Sequence, residues 1–184
     1  MFICMPSDSY YMSIGSALKK SGIMIFLLHN RKYSDELNSV VSAAAKTGKK
    51  ILFVSLSKPF ATLADAFESK KIETKNIMFI DAVSGGVKKP RGYRVSFVSS
   101  PKALTELSIT INESLGKETD IVIFDSLSVL LAYEDASTVT KFMHSLLSRM
   151  RERGKKCAIL ALSEDSENRA LKDVSMFADS VIEV

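Results

Sequence analysis

An α/β domain with a mainly parallel central sheet flanked by helices is the fold class that this sequence predicts, and three observations predict it. Apolar runs of four to six residues recur along the 184-residue chain. The runs are continuous rather than alternating, which marks strands buried on both faces. The longer segments between them carry apolar residues at three- and four-residue spacing, the signature of crossover helices.

The first strand is Ile23 to Leu28, an uninterrupted apolar run of six residues. A helix is expected from near Ser34, with Leu37, Val40, Val41, Ala44 and Ala45 on one stripe and Gly48 as its C-terminal stop. Ile51 to Val54 is the second strand, a helix spans Pro59 to Ser69, and Ile77 to Ile80 is the third strand. Ser84 through Pro90 and Gly92, rich in Gly, Pro and Lys, reads as an exposed excursion. Arg94 to Val98 is a short strand, and Pro101 is expected in the first turn of a helix over Leu104 to Leu115. Ile121 to Phe124 runs directly into Asp125 as another buried strand. Val139, Phe142, Met143, Leu146, Leu147 and Met150 mark the clearest helix, closed by Gly154. Ala158 to Leu162 and Ser180 to Val184 are the last strands, separated by a polar loop at Ser163 to Asn168. With no repeat or linker, the reading is one domain over residues 1–184, residues 1–20 being an N-terminal extension packed on the core.

Composition narrows the function classes. A hydrophobic fraction of 46% with 25% charged residues is globular. The apolar runs fall far short of the ~20 residues of a membrane helix. The start, Met1 to Pro6, lacks the basic region and long apolar core of a secretory signal, so a soluble cytoplasmic protein is expected, with no membrane partner. Cys4 and Cys157 make neither a disulfide framework nor a metal site, and Cys157 sits in an apolar run as a buried thiol. His29 and His144 are too few and too scattered for zinc, and no metal is expected. His144 is read as a surface residue. Net charge is +4, with basic clusters at Lys88, Lys89, Arg91 and Arg94 and at Arg149, Arg151, Arg153, Lys155 and Lys156. Nucleic-acid binding would use such patches, but no aromatic residues interleave them.

In an open parallel sheet, ligands bind at the carboxyl ends of the strands. Those ends are His29, Ser55, Asp81 and Asp125. His29, Asp81 and Asp125 converging there would make an acid–base group, with Ser55, Ser57 or Ser126 as a nucleophile. The chain has no G-x-S-x-G elbow to support that chemistry. A lone strand-end aspartate such as Asp125 more often caps the following turn.

Ile121-Val122-Ile123-Phe124-Asp125-Ser126-Leu127-Ser128 and the closing Ala178 to Val184 resemble the RecA/KaiC superfamily of ATPases. Ile51 to Leu56 is similar to its second strand, and Ser100 to Ile109 looks like KaiC-like archaeal proteins, including a family of small degenerate members. The resemblance runs from about Gly22 onward. It implies a three-layer RecA-like fold with a nucleotide site after the first strand.

An active member would carry G-x-x-x-x-G-K-[ST] there. This chain has His29-Asn30-Arg31-Lys32-Tyr33-Ser34-Asp35-Glu36, with neither glycine. Asp35 stands for the lysine and Glu36 for the magnesium-binding hydroxyl. Without glycines, the backbone nest that cradles phosphate is not expected. Ser34 is expected to cap the helix, leaving Asp35 and Glu36 in its first turn, where they complement the dipole. A phosphate at ~4 Å from either would meet repulsion of ~1–4 kcal/mol per charge pair. Arg31 and Lys32 would partly offset it. The family's catalytic acids follow the second strand, where this chain has Ser57 and Lys58; Asp125 stands where a magnesium-assisting aspartate would sit.

The expectation is a domain without catalytic residues, retaining His29, Arg31, Lys32, Ser34, Asp35, Glu36 and Asp125 as relic nucleotide-site positions and binding no cofactor. It would act on a protein partner or by self-association. The alternative is a nucleotide-binding switch or slow ATPase, with Arg31 and Lys32 on phosphates and Asp125 on the magnesium of ATP. Nucleic-acid binding through the Lys88–Arg94 excursion is the third reading.

Overall fold

A computed structural model describes residues 7–85, 92–116 and 118–184, with side chains from residue 14 onward. Among the described residues, seven strands form one sheet: β1 (Ile23–Leu28), β2 (Ile51–Ser55), β3 (Ile77–Asp81), β4 (Arg94–Phe97), β5 (Ile121–Asp125), β6 (Lys156–Leu162) and β7 (Ser180–Glu183). Their order is β4-β3-β2-β5-β6-β1-β7, and every pairing is parallel. β1, β2 and β5 are buried at every position, as continuous apolar runs require.

Helices α1 (Ser7–Lys20), α2 (Tyr33–Ala45) and α3 (Phe60–Ser69) cover one face of the sheet. Helices α4 (Leu104–Ser114), α5 (Leu127–Tyr133), α6 (Ala136–Glu152) and α7 (Arg169–Ser175) cover the other. Alternate strand residues supply the two cores: Ile25 and Leu27 point to the α4–α7 side, and Met24, Phe26 and Leu28 to the α1–α3 side. On the α1–α3 side, Phe79 packs against Phe60, Phe53, Phe67 and Tyr93, with ring centroids 5.0–6.4 Å apart. Ile14 and Leu18 of α1 are buried in that core.

The strands and the longest helix follow the expected pattern. Val139, Met143, Leu146, Leu147 and Met150 are the buried stripe of α6, and Gly154 follows it at positive φ. The structure corrects three local expectations. Pro101 lies in the turn before α4, whose N-cap is Ala103, so it is outside the helix. The expected polar loop at Ser163 to Asn168 contains one 3-10 turn, Ser163–Asp165, and its last residue, Asn168, caps α7 through the Ala170 amide. α1, α5 and α7 were not among the expected helices.

The chain order explains where the sheet opens. From β2 the chain moves outward to β3, whereas from β5 it moves the other way to β6. The crevice between the carboxyl ends of β2 and β5 is therefore the switch point, where such sheets hold their ligands. Ser55 and Asp125 are register partners on its two sides.

Candidate functional site at the β2–β5 switch point

Asp125, the last residue of β5, is fully buried at this crevice. A buried carboxylate must be hydrogen-bonded, and two hydroxyls meet it. The Tyr33 hydroxyl donates to Oδ1, and the Ser57 hydroxyl donates to Oδ2 at 2.7 Å. Burial pushes the Asp125 carboxyl above its usual range, while these two bonds and the nearby Lys58 charge oppose the rise. Burial also pushes the Tyr33 phenol far above its ordinary value, and the Asp125 charge adds to the effect. The phenol therefore keeps its proton and works as a donor. Asp125 does not cap the following turn: Ser126 does, accepting from the Val129 amide.

Tyr33 is the first residue of α2, which places its ring beside the end of β5. The next three residues are likewise committed to internal partners. Ser34 Oγ accepts from Lys58 Nζ at 2.7 Å, and Asp35 pairs with Lys70 at 3.1 Å. Glu36 is buried and accepts the His29 amide at 2.7 Å, with His29 Nδ1 at 3.3 Å from its other oxygen. Ser34 is not a helix cap. The N-cap is Lys32, which makes no side-chain capping bond, because a 3-10 turn over Asn30–Lys32 leads straight into the helix.

That turn is the whole connection between β1 and α2, and the protein's own carboxylates meet its amides. The His29 amide goes to Glu36, and the Asn30 amide to Glu164 at 3.2 and 3.4 Å. Arg31 and Lys32 project from the same turn and are exposed. Glu164 belongs to the 3-10 turn after β6, 134 residues away in sequence, and nothing local announces this contact.

The other strand ends are separate. Asp81 accepts from the Phe60 amide, the Val83 amide, and the Ser84 amide and hydroxyl, at 2.5–2.9 Å. Burial would raise the Asp81 carboxyl, but the bonds from Ser84, Phe60 and Val83 hold it below the usual range. It thus ties the start of α3 to β3. His29, Asp81 and Asp125 each keep their own partners, so they do not converge as an acid–base group. Ser55 donates to the Lys58 carbonyl at 2.6 Å.

The second basic cluster is largely tied down. Arg149 donates to Ser108 and Ser145, Arg151 to the Phe177 carbonyl and Asp179, Arg153 to the Asn112 carbonyl, and Lys156 to the Lys19 and Ser21 carbonyls. In the first cluster, Arg94 pairs with Glu118 at 3.3 Å, while Lys88, Lys89 and Arg91 lie outside the described residues, as does Cys4. His144 is exposed, with its ring 4.6 Å from that of Phe177. Among the described residues, no group of three His, Cys, Asp or Glu is arranged to hold a metal, and no helix is long and apolar enough to cross a membrane.

Comparison with known proteins places this architecture. Residues 38–184 match the model of a family of unknown function, DUF7504. Among solved structures, the chain is similar to a KaiC-like protein from the hyperthermophilic archaeon Pyrococcus horikoshii. The two share 14% identity with a TM-score of 0.66, over 89% of this chain and 72% of that one. At that identity the likeness is one of fold, a KaiC-like RecA fold with an all-parallel central sheet. No relative was found among curated protein sequences.

Proposed function

This chain belongs to the family of unknown function DUF7504, and we propose that it is a non-catalytic RecA/KaiC-like domain that works by binding protein. The observation that carries this reading is the bond from Tyr33 to Asp125. In the fold, the end of β5 faces the turn after β1, and a magnesium-bound nucleotide would have to lie between them. Here an aromatic side chain spans that gap and uses one of the two oxygens of the aspartate; Ser57 uses the other.

The chemistry of the donors supports the same reading. A phosphate-binding turn needs backbone amides free to converge on an anion. The His29 and Asn30 amides are bound to Glu36 and Glu164, and Asp35 adds a further negative charge at the helix start. The residues present do not fit a nucleotide triphosphate with its magnesium. Arg31 and Lys32 offer it charge from the turn, while Lys58, the other cation at the site, is held by Ser34 and lies beside Asp125. Ser57 and Lys58, the residues after β2, carry no carboxylate to activate a water. A domain that keeps the scaffold and gives up the ligand retains surfaces for other proteins, and a regulatory or signalling role follows by analogy of fold.

Titration calorimetry of the full chain with magnesium and ATP tests this. The expected result is no binding below about 1 mM, a weak limit of ~4 kcal/mol. Submillimolar binding abolished by Asp125→Ala would overturn the proposal and favour a nucleotide-binding switch.

A further inference from the structure

The open edge of the sheet supports an inference that rests on the protein-interaction reading and names the partner. β7 pairs with β1 on one side, and among the described residues no strand pairs with its other side. Such an edge presents backbone donors and acceptors to any extended chain, and proteins usually guard it by keeping the strand short or by placing a charge, a proline or a bulge on it. The opposite edge strand, β4, opens on Arg94. β7 reads Ser180-Val181-Ile182-Glu183, a short strand with Glu183 as its one charge and neither cation nor proline. Its apolar residues are incompletely covered. Val181 is 48% exposed and nearby in sequence Met176 is 82% exposed. Ile182 and Val184 are half-buried at the rim of the α1–α3 core.

We propose that β7 docks β7 of a second copy of this chain, antiparallel, about a twofold axis at Ile182. The interface is isologous, as a twofold requires. Side chains alternate between faces, so directly opposed residues must lie on the same face, and the axis must pass through a residue. Charge decides which one. An axis at Val181 would set Asp179, which already pairs with Arg151 at 2.9 Å, opposite Glu183 of the second copy, and a second carboxylate directly opposed disfavours that pairing. An axis at Ile182 sets Ile182 against itself, Ser180 against Val184, and Val181 against Glu183. Within residues 180–184 no two like charges meet.

The core argues for the same axis. Phe26 and Ile182 are register partners on the α1–α3 side, so the twofold continues their apolar row into the second copy. It also brings cover to Ile182 and Val184 where their own core leaves them half-open. The resulting assembly is one continuous sheet across two chains.

Sedimentation velocity of the full chain from about 5 to about 200 µM, a range that reads association of ~5–7 kcal/mol, tests the proposal. A concentration-dependent dimer is expected. Ile182→Lys would place two lysines face to face and should weaken the dimer at least tenfold, with its fold checked by circular dichroism. Val181→Lys would sit opposite Glu183 of the second copy and should leave the dimer intact or tighten it. Should Ile182→Lys not fold, amide hydrogen exchange of the unaltered protein replaces it: protection of residues 180–184 must rise with concentration. A chain that stays monomeric at the top concentration overturns the proposal, as does a dimer indifferent to folded Ile182→Lys with no added protection at β7. Neither result bears on nucleotide binding, which the calorimetry above decides separately.

Discussion

The hydroxyl of Tyr33 donates to the carboxylate of Asp125, joining the first residue of α2 to the last residue of β5 across 92 positions of sequence. Tyr33→Phe removes that donor and leaves a buried carboxylate with Ser57 as its remaining hydroxyl partner. The expected loss is about 1.5–3 kcal/mol, measured by urea unfolding at pH 7. The pH dependence has a definite sign. Burial raises the Asp125 carboxyl in the folded state, so ionising it costs stability as pH rises from its unfolded value through its folded one. The cost of Tyr33→Phe is therefore full where Asp125 is ionised and shrinks as pH falls through its raised pKa. A cost that does not change with pH would contradict this assignment.

Asp81 presents the opposite case. Four donors converge on it, and its folded pKa lies below the ordinary carboxylate value. Its contribution is present above the unfolded pKa near ~4 and is lost as pH falls through the lower folded value. Asp81→Ala leaves those donors unmatched and should cost about 2–3 kcal/mol at pH 7. The difference from the parent protein should narrow in acid.

Cys157 is fully buried in the α4–α7 core, and burial pushes its thiol up to about 12. Only the thiolate reacts with alkylating agents. In a Cys4→Ser background, iodoacetamide at pH 8 should leave the folded protein unmodified and label it once in 6 M urea. Rapid labelling of the folded chain would place Cys157 elsewhere.

Phe79 lies at the centre of five aromatic rings on the α1–α3 side. Phe79→Ala should cost about 3–5 kcal/mol by chemical denaturation, because the surrounding rings cannot close the cavity fully. Phe79→Leu keeps most of the volume and should cost less than half as much.

The scaffold was readable in the sequence because burial on both faces leaves a distinctive mark. Ile23 to Leu28, Ile51 to Val54 and Ile121 to Phe124 contain no polar residue, and nothing but a central strand fits runs so short. α6 was equally plain, since its apolar stripe extends over several turns. α5 and α7 have seven residues each, too few for a period to emerge. At the site, the sequence located the turn at His29 to Glu36 and the strand-end Asp125, but not their relationship. Tyr33 gave no signal, because only the folded sheet brings α2 beside β5. Ser34 looked like a cap on composition alone; the 3-10 turn advanced the helix start and left its hydroxyl to Lys58. Glu164 reaches Asn30 from another strand end, a contact no local pattern encodes.

In the proposed function, the turn after β1 is filled by the protein's own groups and not by a nucleotide. Amide NMR of the labelled full chain, titrated with magnesium and ATP to several millimolar (a concentration of about the range where weak anion binding saturates), reads that turn directly. The His29, Asn30 and Tyr33 amides should stay in place, with at most small unsaturating shifts at Arg31 and Lys32. Saturable shifts of the His29 and Asn30 amides, accompanied by release of Tyr33 from Asp125, would contradict it.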